Sequence, residues 1–153
     1  MKFIILSVGK IRESSVSALA ALYAGRIGFF APLGFECVPE SRASSPEQKV
    51  EKEGIQLLKR IRERDCVVSL DAEGMLFDSR AFACWIDARL GCGEGRLLFV
   101  IGGAFGLSEG IRARRNFSLS LSKMTFPHEL CQVILLEQLY RAFTILRGVP
   151  YHH

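Results

Sequence analysis

No stretch of this sequence is apolar for long enough to cross a bilayer, which takes about eighteen residues. The start has the outward look of a signal peptide, with Phe3-Ile4-Ile5-Leu6 and later Ala18-Leu19-Ala20. Lys10, Arg12 and Glu13 interrupt it, where a secretory signal keeps an unbroken apolar segment. The expectation is a cytoplasmic protein. Cysteines are few: Cys37, Cys66, Cys84, Cys92 and Cys131 are odd in number and never form C-x-x-C. That leaves metal or redox pairing without support and reads as free, mostly buried thiols in a reducing compartment. No Ser-His-Asp order, H-E-x-x-H or other metal-ligand spacing occurs, so no metal is expected. The nucleotide fingerprints are missing too. Gly102-Gly103-Ala104-Phe105-Gly106 is neither G-x-G-x-x-G nor a phosphate-binding loop, and the first strand offers only Gly9-Lys10. Taken alone, these glycines read more readily as a tight turn, although they also permit backbone to approach a flat ligand closely.

What is present is a chain of 153 residues, 49% hydrophobic, which fits a single domain spanning 1–153 with one proper core. Charge is spread unevenly. From Met1 to Glu109, fourteen basic residues balance fourteen acidic ones. From Gly110 onward, Arg112, Arg114, Arg115, Lys123, Arg141 and Arg147 face only Glu129 and Glu137, so the whole formal charge of +4 lies there with all three histidines. Such concentration points to a polyanionic partner, nucleic acid being the commonest, although a solvated basic face looks the same.

Apolar runs alternate with helical patterns. Phe3–Val8 reads as a buried strand, and Ser14–Phe30 as a helix ending before Pro32-Leu33-Gly34. Phe35–Val38 is a second strand, and Ser41–Ser45 a polar loop. Pro46 suits the first turn of a charged surface helix reaching about Arg64, with a thin stripe of Val50, Ile55, Leu58 and Ile61. Cys66–Leu70 and Leu97–Ile101 are unbroken apolar runs, as in a parallel sheet covered on both faces. Between them Ser79–Leu90 reads as a helix, stopped by Gly91-Cys92-Gly93. Ser108 caps a short helix through Arg114; Phe117, Leu119 and Leu121 then alternate with Ser118, Ser120 and Ser122 as another strand. This order predicts an α/β fold with a parallel sheet and helices on both faces.

Pro127 opens a last helix of about twenty residues, closed by Gly148. Glu137, Gln138, Arg141 and Thr144 form a narrow polar stripe on it, and nearly everything else is apolar. A helix so apolar needs burial on two sides: one against its sheet, the other against a second copy in a homodimer. Glu137 and Arg141 are spaced for an intrahelical bridge. His128 stands in the first turn, where bonding to the helix start is as consistent as a functional role. Tyr151-His152-His153 at a chain end reads by itself as a frayed tail.

In combination these pieces resemble one family. Phe99-Val100-Ile101-Gly102-Gly103, Gly106-Leu107-Ser108, Leu119 through His128, Glu137 through Ala142 and Pro150-Tyr151-His152 resemble the RlmH-type (YbeA-like) SPOUT methyltransferases of large-subunit ribosomal RNA. Val8-Gly9-Lys10, Glu51-Lys52-Glu53-Gly54 and Leu70-Asp71 extend the match over the whole chain. The resemblance implies a C-terminal trefoil knot, a homodimer, and S-adenosyl-L-methionine bound in the knot and released as S-adenosyl-L-homocysteine. It also implies methylation of N3 of a pseudouridine in helix 69 of 23S ribosomal RNA, with the RNA of the assembled ribosome as the expected partner.

Carried over by position, the cofactor contacts fall on Leu70, Gly103, Ser122, Lys123, Met124, Thr125, Phe126 and Pro127. Gly103, Ser120 and Ser122 then leave room for a threaded backbone, and Leu70, Met124 and Phe126 pack on the adenine. His128, Arg141, Tyr151 and His152 are expected together on the RNA-facing side near the methyl group: Arg141 to stabilise charge on the uracil ring, Tyr151 or His152 to orient the base or relay its proton. The chain departs from the family pattern at His153, where a basic residue is usual. The alternative is a non-catalytic RNA- or ribosome-binding protein keeping the fold without the cofactor.

Overall fold

Alternation of strand and helix along the chain builds one sheet with helices on both of its faces, described in a computed structural model over residues 1–91 and 95–152. The strands are β1 (Lys2–Val8), β2 (Leu33–Val38), β3 (Cys66–Leu76), β4 (Arg96–Ile101) and β5 (Phe117–Ser120). All pair in parallel, in the order β2-β1-β4-β3-β5. The helices are α1 (Ser14–Gly28), α2 (Pro46–Leu58), α3 (Ser79–Gly91), α4 (Glu109–Arg114) and α5 (His128–Arg147). Strand periodicity divides the core: Phe3, Ile5, Leu97 and Phe99 point toward α1, α3 and α5, while Ile4, Leu6, Leu98 and Val100 point toward α2 and α4. The unbroken apolar run in β4 reflects this central, doubly covered position. Cys92 and Gly93, expected to stop α3, and His153 lie outside the described residues.

Several expectations are corrected. Helix α2 stops at Leu58, not near Arg64, because the chain turns over 59–65. Asp65 accepts the Arg62 N–H at 2.7 Å and is gripped from below the sheet by Arg96 at 2.9 and 2.6 Å. The buried face of α2 is Glu53, Gly54 and Leu57, and Ile55 is exposed. Gly54 is there because a Cβ would strike Ser108 Oγ at 2.0 Å, so α2 and α4 touch at this point. The thiols are less buried than expected: Cys37, Cys66 and Cys131 are half-buried and Cys84 is exposed.

Strand β3 does not end at Leu70. It leaves the ladder over residues 71–74 and returns so that both Leu70 and Met75 pair with Leu119. Gly74 permits the return: a Cβ there would stand 2.7–2.8 Å from the backbone of Ser118, Leu119 and Ser120. Strand β5 stops at Ser120, earlier than its alternation predicted, because Ser120 Oγ donates to the Ser122 carbonyl and Ser122 Oγ accepts the Met124 N–H, both at 3.0 Å.

Helix α5 is buried more fully by its own chain than its sequence implied. It packs between α1 and α3 on the sheet, so Leu135, Leu136, Leu139, Ala142 and Phe143 are all covered. Thr144, assigned to the polar stripe, is fully buried and donates to the Arg141 carbonyl at 2.7 Å. Only Leu130 among its large apolar residues stays exposed. The apolar character of α5 therefore does not require a second copy.

Candidate cofactor cavity and C-terminal cluster

A cavity of about 450 Å³ opens at the C-terminal ends of β3 and β4, walled by the excursion after Leu70, the Gly102–Gly106 turn, the loop after β5 and the first turn of α5. Ligands of open parallel sheets lie at such strand ends. Leu70, Gly103, Ser122, Met124, Thr125, Phe126 and Pro127 line it, as does His128. Lys123 shares the loop but does not line the cavity, and Met124 is largely exposed. His128 Nε2 is buried there without a hydrogen-bond partner, an orphaned group that a bound molecule would satisfy. Gly103 has a different reason from the one expected: a Cβ would lie 2.8 Å from Glu53 Oε2 and 3.3 Å from Val8 Cγ1, so this glycine lets α2 and β1 close beneath the cavity floor.

Asp71 and Cys131 also line the cavity, and neither was singled out as a site residue from sequence. Asp71 is ion-paired with Arg112 and lies 3.7 Å from Arg115, which ties the wall to α4. Cys131 Sγ approaches the Phe126 carbonyl at 3.8 Å, and burial pushes its thiol above the usual range. The basic C-terminal third is in part internally spent. Arg114 donates to the carbonyls of Arg62, Glu63 and Asp65, and Arg112 and Arg115 serve Asp71.

Arg141, Tyr151 and His152 do come together, and the tail is not frayed. Tyr151 donates to Glu137 Oε1 at 3.0 Å, its ring lies under the Arg141 guanidinium at 4.8 Å, and Arg141 Nη1 is 3.3 Å from His152 Nδ1. Arginine only donates, so Nδ1 is the acceptor in this contact. Tyr23 of α1 joins at 3.4 Å from the Tyr151 hydroxyl, a partner no local pattern announces. Burial, followed by the bonds to Tyr23 and Glu137, pushes the Tyr151 phenol far above its ordinary value. The structure does not bring this cluster to His128: Arg141 lies thirteen helical steps beyond it on α5, about 20 Å along the axis. Within one chain, then, Arg141, Tyr151 and His152 form one group and His128 stands apart from it.

The family model described as predicted SPOUT methyltransferase matches residues 1–152. This chain belongs to the SPOUT methyltransferase family. It is 43% identical, with 99% of each chain covered, to a protein of Clostridium acetobutylicum named ribosomal RNA large subunit methyltransferase H. A Christiangramia forsetii protein of the same name is 39% identical, with 97% of each covered. Among solved structures, a probable methylase family protein from Haemophilus influenzae superposes with a TM-score of 0.56 at 16% identity, covering 99% of this chain and 70% of that one, a likeness of fold alone. Among the described residues of this SPOUT methyltransferase, no helix is long and apolar enough to cross a membrane, and no group of three His, Cys, Asp or Glu side chains is placed to hold a metal.

Proposed function

We propose that this SPOUT methyltransferase methylates large-subunit ribosomal RNA in the cytoplasm, moving a methyl group from S-adenosyl-L-methionine to N3 of a pseudouridine in helix 69 of 23S RNA. The observation that carries the reading is the cavity after β3 and β4. Seven of the eight residues matching the family's cofactor positions converge on it, in a volume suited to a ligand of that size. The two relatives named for ribosomal RNA methylation match the chain end to end, which supports the substrate. A threaded, knotted C-terminal segment is part of the same reading.

When bound, the cofactor supplies a sulfonium-activated methyl and leaves as the neutral thioether S-adenosyl-L-homocysteine. The chain's own part is alignment and proton management. Leu70, Met124 and Phe126 offer apolar contact for an adenine, and His128 Nε2 offers a polar contact at the cavity wall. Arg141, fixed by Glu137, stabilises negative charge on a uracil ring whose N3 proton passes to solvent water as N3 takes the methyl. Tyr151 stays protonated and positions Arg141. His152 orients the base.

The distance between His128 and Arg141 means that the cluster serves a cavity only if the partner of a homodimer supplies it. In this reading each methyl-transfer centre joins the cavity of one protomer to the Arg141–Tyr151–His152 cluster of the other. The test is transfer of labelled methyl from S-adenosyl-L-methionine to unmethylated 23S RNA, 50S subunits and 70S ribosomes, followed by mass mapping of the modified nucleotide. Label on the helix 69 pseudouridine is the expected result. Absence of both cofactor binding and transfer would favour the non-catalytic RNA-binding alternative.

A further inference from the structure

A second cavity, of about 400 Å³, lies on the α1 side of the sheet at the ends of β1 and β2. Its walls include Ser7 and Gly9, Phe35 on the edge strand, the small residues Ala21 and Ala24 of α1, and Gln132 of α5. Gln132 is 4% exposed, and its amide nitrogen is buried with no hydrogen-bond partner. Native proteins almost always satisfy such a group. His128 precedes Gln132 by four residues, so the two side chains share one face of α5, about 6 Å apart at Cβ. One borders the cofactor cavity and the other this second cavity.

Three features define what would fit. The half-exposed Phe35 ring and the alanine methyls give a flat apolar surface. Beside Gln132, the open edge of β2 adds polar groups. Phe3 N–H bonds to the Pro32 carbonyl and Gly9 N–H to the Val38 carbonyl, so the intervening odd-numbered residues, Phe35 and Cys37, turn their main-chain groups away from β1. Finally, the neighbouring groove between residues 9–12 and 37–42 carries Lys10 and Arg42, which make no ion pair among the described residues, and Arg12, which pairs with Glu40.

A planar ring with hydrogen-bonding edges, attached to an anion, meets all three. The geometry points to this cavity as a subsite for one unpaired nucleotide of the RNA substrate. Its base rests on Phe35 and the alanines with Gln132 bonded to its edge, and its phosphate lies on Lys10 and Arg42. The subsite rests on the proposed RNA methylation and adds a contact outside the methyl-transfer centre that fixes the register of the RNA.

The test follows the side-chain amide resonances of Gln132, identified by their loss in Gln132→Leu, while AMP, GMP, CMP, UMP or inorganic phosphate is titrated into the intact protein. A saturable shift with at least one nucleotide and none with phosphate is expected. Ala21→Trp abolishes the shift while S-adenosyl-L-methionine affinity by calorimetry stays at the wild-type value. Gln132→Leu raises the KM for RNA about tenfold, the loss of one buried hydrogen bond, at unchanged kcat. The proposal is overturned if no nucleotide moves these resonances, if phosphate moves them equally, or if they respond only to protein concentration, which assigns the cavity to a second copy. Methylation that proceeds with wild-type KM in both variants sinks the subsite alone. Nucleotide shifts without any RNA methylation sink the proposed reaction and leave the nucleotide site standing.

Discussion

Tyr151 and Arg141 converge on a single oxygen of Glu137: the phenol donates to Oε1 at 3.0 Å, and Arg141 Nε donates to the same atom at 3.0 Å. A tail residue and a helix residue thereby become one rigid unit. Gly148 makes the reversal possible by adopting φ 63°, and the Val149 N–H closes it on the Thr144 carbonyl at 2.9 Å. Fixing an arginine before substrate arrives reduces what must be ordered in the transition state.

The Tyr151 phenol sits far above its ordinary range, through burial first and then its bonds to Tyr23 and Glu137, so it is a donor at any pH where the protein works. Tyr151→Phe is expected to slow single-turnover methylation about tenfold, the loss of one positioning hydrogen bond, without moving either limb of the pH–rate profile. A rise of rate with pH that Tyr151→Phe abolishes or displaces, the ascending limb a general base produces, would make Tyr151 the proton acceptor and remove its positioning role.

Mixed dimers test whether the centre is shared. One variant carries Tyr151→Ala with Arg141→Ala, and the other a blocked cavity through Ser122→Trp. Each alone is expected to be inactive, and mixing them restores activity, because one of the two centres in a heterodimer keeps both an intact cavity and an intact cluster. Activity is read by labelled-methyl transfer after subunit exchange. Failure to complement, with exchange verified by mass, would place the whole centre in one chain.

Elements and cavity were legible for different reasons. The apolar runs of β1 and β4 are dictated by burial on both faces, and Ser108 and Gly148 mark helix ends by local chemistry. Those signals survive in one sequence. The cofactor loop was legible through resemblance alone, since Ser122–Pro127 carries no fingerprint of its own. What stayed hidden depends on residues far apart in sequence. Gly74 is explained only by β5 passing over it, Gly103 by Glu53, Asp71 by Arg112, and Tyr151 by Tyr23. The polar stripe of α5 misled because the tail and α3 cover it, with Ser79 Oγ donating to Gln138 at 2.8 Å.

Gly74→Ala separates close backbone passage from ordinary strand preference. With a Cβ forced to 2.7–2.8 Å from the Ser118–Ser120 backbone, the variant is expected to lose about 1–3 kcal/mol, the usual cost of overpacking. Gly28→Ala is the control: nothing lies within 4 Å of its Cβ, so a gain of about 0.5–1 kcal/mol is expected at this helix position. Urea midpoints of the three proteins measure both. An unchanged Gly74→Ala midpoint would mean that β5 and residues 71–76 are not pressed together as described.

Asp65 and Arg96 provide a pH signature of the sheet's lower edge. Burial raises the Asp65 carboxyl, but the bonds and charges of Arg96 and Arg62 outweigh it, and the net shift is downward. A lowered folded value means that the stabilisation is complete above the unfolded carboxylate value of about 3.9 and is lost as pH falls through the folded value. Asp65→Asn leaves the buried Arg96 guanidinium without its bidentate partner and is expected to cost about 3 kcal/mol at pH 7. Urea midpoints measured from pH 7 down to pH 2 check the sign, because the gap between wild type and Asp65→Asn must close toward the acid end. A gap constant across that range would show that Asp65 contributes by shape and not by charge.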